Sequence, residues 1–144
     1  MELASGFQLE RPHLLVPWGL SEERLRDLFK GLELRRVTDG YFVTRCTSLG
    51  GLSHDLGFHF TPRISGTLTE FELFQSSYAS NDTSYREFQI HLETAFGIPT
   101  VTSPGTEGFP SHLWRIKDVQ VIHSVQEHFG PAEYLRITRI KPGS

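Results

Sequence analysis

The sequence has a single cysteine, Cys46, and this scarcity restricts the sites that the chain can build. One thiol cannot form a disulfide within the chain, and it cannot supply the paired cysteines of a structural zinc site. Long apolar runs are also missing, since no stretch approaches the roughly 20 apolar residues that span a bilayer. We therefore expect neither a disulfide framework nor a transmembrane helix.

An excess of basic charge is missing as well. Fourteen Lys and Arg residues are dispersed among seventeen Asp and Glu residues, which gives a formal net charge of −3. This balance lacks the basic patch that nucleic acids and anionic membranes attract, so we expect neither as a partner. The first residues lack a basic region followed by an apolar run, so we expect no signal peptide and a cytoplasmic location.

The length and composition indicate a folded protein. A chain of 144 residues with 38% hydrophobic and 12% aromatic residues is typical of one domain with a sizeable core. No linker, repeat or low-complexity segment divides it, so we predict a single domain over residues 1–144.

Residues 81–99 carry the clearest helix pattern. Ser84 and Glu87 have the spacing of a capping box, which predicts that Ser84 is the N-cap. Gly97 and Pro99 then predict the end of the helix. Apolar side chains recur at steps of three and four residues on one face, namely Tyr85, Phe88, Leu92, Ala95 and Phe96. We expect Phe88 and Leu92 to be almost fully buried against a sheet.

A shorter helix is predicted near the N-terminus. Ser21 has the features of an N-cap, with carboxylates in the first turn and Gly31 at the end. Leu25, Leu28 and Phe29 would form its buried side. Residues 1–17 read as an extended arm that either lies across the sheet or adds an edge strand.

The remaining segments alternate as strands do. Residues 32–46 form a hairpin pattern around Asp39-Gly40, and residues 56–74 form another, with Thr69, Phe71 and Leu73 predicted to point to the same side. Residues 99–111 read as a loop because of their prolines and glycines. Further strands are predicted at 113–116, 119–125 and 134–140, although a helical spacing also fits the end of the second. We predict an α+β fold: a mainly antiparallel sheet of about six to seven strands with two helices packed on one face.

The histidines do not form a recognisable metal motif. His54 and Asp55 precede His59, and His123 precedes His128, but none has the i, i+4 helical spacing of a zinc protease. Histidines within strands are more often hydrogen-bonded parts of a core. We predict no metal site and no cofactor.

No catalytic residue is predicted either. Cys46 ends an apolar strand, which favours an inert thiol. The segment Ser48–Ser53 has paired glycines but lacks the lysine of a phosphate-binding loop. Glu70 and Glu72 share a strand face, and this pattern favours a solvated face over an acid–base pair. A protein that binds without catalysis is the more natural interpretation.

Aromatic residues outside the periodic segments are the candidate binding residues. Tyr78 and Phe109 lie in polar or glycine- and proline-rich loops, and Glu107 is close to Phe109. Each aromatic ring either folds back as a lid on the core or contacts a partner. We predict Tyr78, Glu107 and Phe109 as partner-binding residues, with the 99–111 loop as the main contact segment.

Short motifs along most of the chain resemble those of small bacterial immunity proteins, which belong to toxin–immunity systems. The motifs are Trp18-Gly19-Leu20-Ser21, Phe96-Gly97-Ile98-Pro99, Trp114 at the start of a strand, and Phe129-Gly130 before Leu135-Arg136-Ile137. The resemblance implies a one-domain α+β protein that blocks a cognate toxin, and so a protein partner. It transfers no contact residue. A secretion chaperone or a small enzyme with an unrecognised site remain alternatives, and the oligomeric state stays open.

Overall fold

A computed structural model describes residues 1–76, 80–105, 108–127 and 131–140. These contain two helices and ten strands, which confirms the α+β class and exceeds the six to seven strands predicted. The helices are α1 (Glu22–Leu28) and α2 (Asn81–Phe96). The strands are β1 (Gly6–Leu9), β2 (Leu14–Pro17), β3 (Arg35–Thr38), β4 (Tyr41–Ser48), β5 (Leu52–Thr61), β6 (Thr67–Phe74), β7 (Val101–Ser103), β8 (Ser111–Ile116), β9 (Val119–Glu127) and β10 (Pro131–Arg139).

Eight strands form one antiparallel sheet in the order β3-β4-β5-β6-β10-β9-β8-β7. The first four strands follow one another along the chain, and so do the last four, so the sheet has two halves that meet where β6 pairs with β10. Three residue pairs form this seam: Glu72 with Arg136, Phe71 with Ile137, and Glu70 with Thr138.

The N-terminal arm is a separate two-stranded hairpin, β1–β2. Phe7, Leu9 and Val16 of this hairpin are completely buried, and the Trp18 indole donates a hydrogen bond of 2.8 Å to the Leu3 carbonyl. The arm thus lies against the core and does not extend the main sheet. It is joined to β4 by a bridge between Arg11 and Thr47.

Helix α1 begins where the sequence predicts. The Ser21 hydroxyl accepts a hydrogen bond from the Arg24 amide, and Glu22 and Glu23 lie in the first turn. Leu25 and Phe29 are buried, and the Phe29 ring meets that of Phe58 edge-on at 5.5 Å. Helix α1 therefore packs on the same face of β5 as the other core aromatics.

Helix α2 begins earlier than the predicted capping box. Its N-cap is Ser80, whose hydroxyl accepts from the Thr83 amide, so Ser84 lies inside the helix and is buried. Ser80 rather than Ser84 is the N-cap because a polar first turn follows it, in which Asp82 complements the positive end of the helix. The buried face was predicted correctly for Phe88 and Leu92, both fully buried, whereas Ala95 is exposed. Gly97 ends the helix with φ of +82°.

The two predicted hairpins of the first half are present, with one correction on β6. The Cα partners change from His59–Glu70 to Phe60–Leu68, which leaves Thr69 as an extra residue. This bulge turns Leu68 inward together with Phe71, while Thr69 stays partly exposed. The prediction that Thr69 points inward was therefore wrong.

The second half of the sheet contains a strand that was not predicted from the sequence. Residues 101–103, which were predicted as loop, form the short exposed edge strand β7 paired with β8. The ambiguous segment after Val119 is a strand as far as Glu127. The Phe129-Gly130 motif lies outside the described residues.

One cluster of buried side chains fills the space between the sheet, the helices and the N-terminal hairpin. Its largest fully buried members are Trp114, Phe7, Phe42, Phe58, Phe71 and Phe88. Within the described part of the chain, neither helix is long and apolar enough to cross a membrane.

Candidate functional site

Phe109 lies in the loop between β7 and β8 and is attached to helix α2. Its ring is half-buried and meets the ring of Tyr85 edge-on, with centroids 5.1 Å apart. The Tyr85 hydroxyl donates a hydrogen bond of 2.5 Å to the Pro110 carbonyl. Burial, and then the charge of Glu133, raise the pKa of Tyr85 to about 12, so this hydroxyl keeps its proton at neutral pH. The loop is thus held on α2 by a ring contact and a hydrogen bond.

An open groove of about 370 Å³ lies between this loop and α2. We call it the Phe109 groove, and it is lined by Asp82, Tyr85, Arg86, Gly108, Phe109 and Pro110. An exposed ion pair of 2.9 Å joins Arg86 to Asp82 along the helix. The groove therefore combines aromatic surface with a charged rim.

Only one of the three predicted binding residues can be placed. Tyr78 and Glu107 lie outside the described residues and stay predictions. Phe109 covers Tyr85, as a lid does, and also lines the groove. The contact with Tyr85 agrees with the lid interpretation, and contact of Phe109 with a partner stays a prediction.

A buried polar network lies directly beneath the Phe109 groove. The Tyr85 ring stacks on the imidazole of His123, with centroids 4.3 Å apart and planes at 19°. His123 is fully buried, and its Nε2 lies 2.5 Å from Oε2 of Glu133 on β10. The Ser84 hydroxyl donates to the other oxygen of Glu133. Helix α2 is thereby tied to β9 and β10.

The orientation of Gln89 fixes one proton of this network. The Gln89 amide nitrogen donates to Glu93, so its oxygen faces Nδ1 of His123 at 2.8 Å. Nδ1 therefore carries a hydrogen and donates it. His123 is held from both sides by oxygen atoms, and the network couples the floor of the Phe109 groove to the core.

Sequence reasoning missed the pairing of His123 with Glu133. Leu135 and Ile137 are buried, and the alternation of side chains along a strand puts Glu133 on the same inner face of β10, two residues before Leu135. A carboxylate at such a position needs a buried partner, and His123 is an inward residue of the neighbouring strand. The inward position of Glu133 could thus be read from the alternation, but the identity of its partner could not.

A second buried histidine, His54, forms a pair with Ser48. Nδ1 of His54 faces the Asp55 carbonyl at 2.9 Å and must donate to it, so Nε2 accepts from the Ser48 hydroxyl at 2.5 Å. Burial lowers the pKa of His54 to about 4, which keeps the ring neutral at pH 7. A neutral histidine that accepts a hydrogen bond from a serine hydroxyl has the arrangement of a general base beside a serine nucleophile. Both residues are completely buried, so no substrate reaches them in this conformation.

Cys46 belongs to the same buried group. Its sulfur lies 3.7 Å from Nε2 of His54, and burial followed by the charge of Asp55 raises the pKa of the thiol to about 12. A thiol with such a pKa is protonated at neutral pH and is a poor nucleophile.

Glu70 and Glu72 lie on the outer face of the sheet, above the seam between its halves. Arg136 of β10 reaches Glu70 at 2.6 Å and Glu72 at 3.4 Å. Tyr41 and His59, which stack on each other at 4.4 Å, also bind Glu72 through hydrogen bonds of 3.0 and 2.9 Å. These contacts link β6 to β10 on one side and to β5 and β4 on the other.

The electrostatics of this outer network favour the ionised form of Glu72. Burial opposes ionisation of Glu72, but the hydrogen bonds from His59 and Tyr41 and the charge of Arg136 outweigh it, so its pKa is lowered. A general acid needs a raised pKa instead. The arrangement of Glu70 and Glu72 is that of ion-pair partners.

Among the residues that the structure describes, no group of three or more His, Cys, Asp or Glu side chains is placed to hold a metal ion. His54, His59 and His123 are each engaged in the hydrogen bonds given above. His128 lies outside the described residues.

Comparisons with known proteins give one distant structural neighbour. No protein-family model matches the chain, and no curated protein matches it. Among solved structures, the chain is similar to a DUF4309 family protein (YjgB) from Bacillus subtilis subsp. subtilis str. 168. The similarity has a TM-score of 0.47 and 9% sequence identity, and it covers 83% of this chain and 78% of the other.

Proposed function

We propose that this protein is a non-enzymatic protein-binding domain that acts as an immunity protein and neutralises a cognate bacterial toxin. The observation that carries the proposal is the Phe109 groove. An aromatic ring that is held on α2 but only half-buried offers an anchor at little entropic cost. The charged pair Asp82–Arg86 beside it supplies the polar rim that protein interfaces have.

The state of the polar clusters also supports binding rather than catalysis. Ser48 and His54 are sealed in the core, and His123 is covered by Tyr85. Glu70 and Glu72 are engaged by Arg136. Enzymes instead present their titratable groups to a pocket that substrate can enter.

The toxin assignment rests on the sequence motifs and on charge. The net charge of −3 favours association with a basic surface, and many toxins that act on nucleic acids present such surfaces to their targets. We place the contact around Phe109 and Glu107, with Tyr78 as a further contact residue.

The test is binding of the purified protein to the toxin domain encoded beside its gene, measured by titration calorimetry. We expect the double variant Glu107→Ala with Phe109→Ala to lose binding by at least about tenfold while its melting temperature stays unchanged. The same variant should fail to protect cells that produce the toxin.

The matched control is Ile64→Ala, which removes an exposed apolar side chain in the turn between β5 and β6. This control should bind like the unaltered protein. A fall in melting temperature with binding intact would mean that Phe109 only covers Tyr85. No binding of the unaltered protein to the neighbouring toxin domain would overturn the immunity function itself.

A further inference from the structure

A second and larger groove lies between strand β2 and helix α1. Its volume is about 660 Å³, against about 370 Å³ for the Phe109 groove. Leu15 contributes from β2, and Leu20, Glu23, Arg24, Asp27 and Leu28 contribute from α1 and the residues before it. We call it the β2–α1 groove. The segments that build it share no residue with the Phe109 groove.

One wall of this groove is formed by strand β2, through Leu15 and Pro17. Strand β2 pairs with β1 through Leu14, Leu15, Val16 and Pro17, and within the described ranges no strand pairs with its other side. The outward backbone groups of an edge strand are a template for a further strand. Four residues of strand offer a pairing length of about 13 Å.

The floor of the groove is apolar. Leu15 is 39% exposed, whereas Leu20 and Leu28 are partly buried and rest on the core. An exposed leucine beside two half-covered leucines leaves room for an apolar side chain of an added strand. Pairing with β2 and burial against these leucines would then act together.

The opposite wall carries an excess of negative charge. Glu23 and Asp27 are exposed and lie one helical turn apart on α1, so their carboxylates are neighbours. In the part of the chain that the structure describes, neither takes part in an ion pair, and Arg24 is the one cation lining the groove. A lysine or arginine of the occupant would compensate this charge.

We propose that the β2–α1 groove binds an extended segment of a partner protein, about five residues long, that adds a strand to β2. Apolar side chains of this segment contact Leu15 and Leu28, and a Lys or Arg between them lies beside Glu23 and Asp27. This surface is a second interaction site, and it does not depend on toxin binding at the Phe109 groove.

The probe is a capped peptide of sequence Gly-Val-Thr-Lys-Thr-Val-Gly with a fluorescent label, titrated with the full protein in an anisotropy assay. The two valines and the lysine alternate with threonines, so they point to one side of an extended strand. We expect saturable binding with a dissociation constant below about 1 mM. In an NMR titration, the changes in backbone amide chemical shift should be concentrated in residues 14–28. The peptide with Glu in place of Lys should bind about tenfold more weakly at low salt.

Variants of the protein test whether the carboxylates of the groove cause the preference for the lysine peptide. Glu23→Gln with Asp27→Asn should abolish the preference for the lysine peptide, while Glu87→Gln on α2 should leave it unchanged. Circular dichroism of each variant checks that α1 remains folded.

Three results would overturn the proposal. The first is no saturable binding of the lysine peptide by the unaltered protein. The second is equal affinity for the lysine and glutamate peptides. The third is a dimer in solution whose dissociation frees the groove, because the occupant would then be a second copy of this chain.

Discussion

The Phe88 ring of α2 meets the imidazole of His54 edge-on, with centroids 5.8 Å apart. On another side it meets His123, also edge-on, at 6.2 Å. The fully buried Phe88 thus separates two fully buried histidines whose hydrogen-bond networks lie on different strands. A single side chain of α2 thus contacts the histidines of both networks.

Phe88→Ala should therefore be one of the most destabilising substitutions in the chain. The lost burial and the cavity left behind should lower the free energy of unfolding by about 3–5 kcal/mol. Ile90→Ala is the matched control, because Ile90 is on the same helix and 65% exposed, and it should cost less than about 1 kcal/mol. Denaturant unfolding measures both, and similar losses would mean that the buried face of α2 is wrongly assigned.

The stability of the protein should depend on the protonation of His54. Above pH 6.5 its ring is neutral in the folded and the unfolded chain, whereas its pKa in the folded state is lowered to about 4 by burial. Between these values the unfolded chain binds a proton that the folded chain does not. The free energy of unfolding should therefore fall as the pH falls through this range, by up to about 3 kcal/mol.

The variant His54→Gln isolates this contribution, since an amide can still accept from Ser48 but does not titrate. Its unfolding free energy, measured by urea denaturation at several pH values, should fall less steeply between pH 6.5 and 4 than that of the unaltered protein. Equal slopes would contradict the assignment.

Removal of Glu133 should destabilise the buried network under Tyr85. Glu133→Ala leaves His123 without one of its two oxygen partners inside the core and should cost about 3 kcal/mol. Glu133→Gln should cost less, because the amide oxygen can still accept from Ser84 and the amide nitrogen can donate to Nε2 of His123. Asp82→Ala, which breaks an exposed pair, should cost less than about 1 kcal/mol. A loss for Glu133→Ala as small as that of Asp82→Ala would exclude a structural role for the network.

Cys46 should behave as an inert thiol. Its sulfur is buried, and the raised pKa of about 12 leaves almost no thiolate at neutral pH. We expect a thiol reagent at pH 7 to label the native protein only as fast as the protein unfolds, and to label the urea-unfolded protein at once. Rapid labelling in the native state would identify a reactive site.

Local signals in the sequence predicted much of the fold. Ser21, the Asp39-Gly40 turn and Gly97 are chemically suited to a cap, a hairpin turn and a helix end, and each has that role in the structure. Phe88 and Leu92 followed from the helical period alone. These features depend on residues that are close in sequence, so a linear pattern contains them.

Features that depend on distant partners were harder to predict. Strand β7 is exposed along its length and forms only because β8 lies beside it. Ser84 looked like a cap because its spacing to Glu87 is correct, but its actual partner, Glu133, is 49 residues away. The bulge at Thr69 likewise depends on the pairing with β5.

The candidate site was predicted in part. Phe109 was singled out because it lies outside the periodic segments, and it does line a surface groove. The contact with Tyr85 that holds it could not be read from the sequence, because Tyr85 matched the apolar face of α2 equally well. The network of His123, Gln89 and Glu133 needed the register of β9 against β10.

The seam between β6 and β10 has a consequence for how chains associate. Among the described strands of the main sheet it is the one neighbouring pair that is not consecutive along the chain, so its formation closes by far the longest loop. Arg136 of β10 joins the two strands of this long-range contact through its ion pairs with Glu70 and Glu72 of β6. If these ion pairs are weakened, each half keeps its local hairpins but exposes an unpaired strand that the complementary half of another molecule can complete. We therefore expect exchange of halves between chains to be the misassembly that this topology favours, and we expect the ion pairs of Arg136 to oppose it.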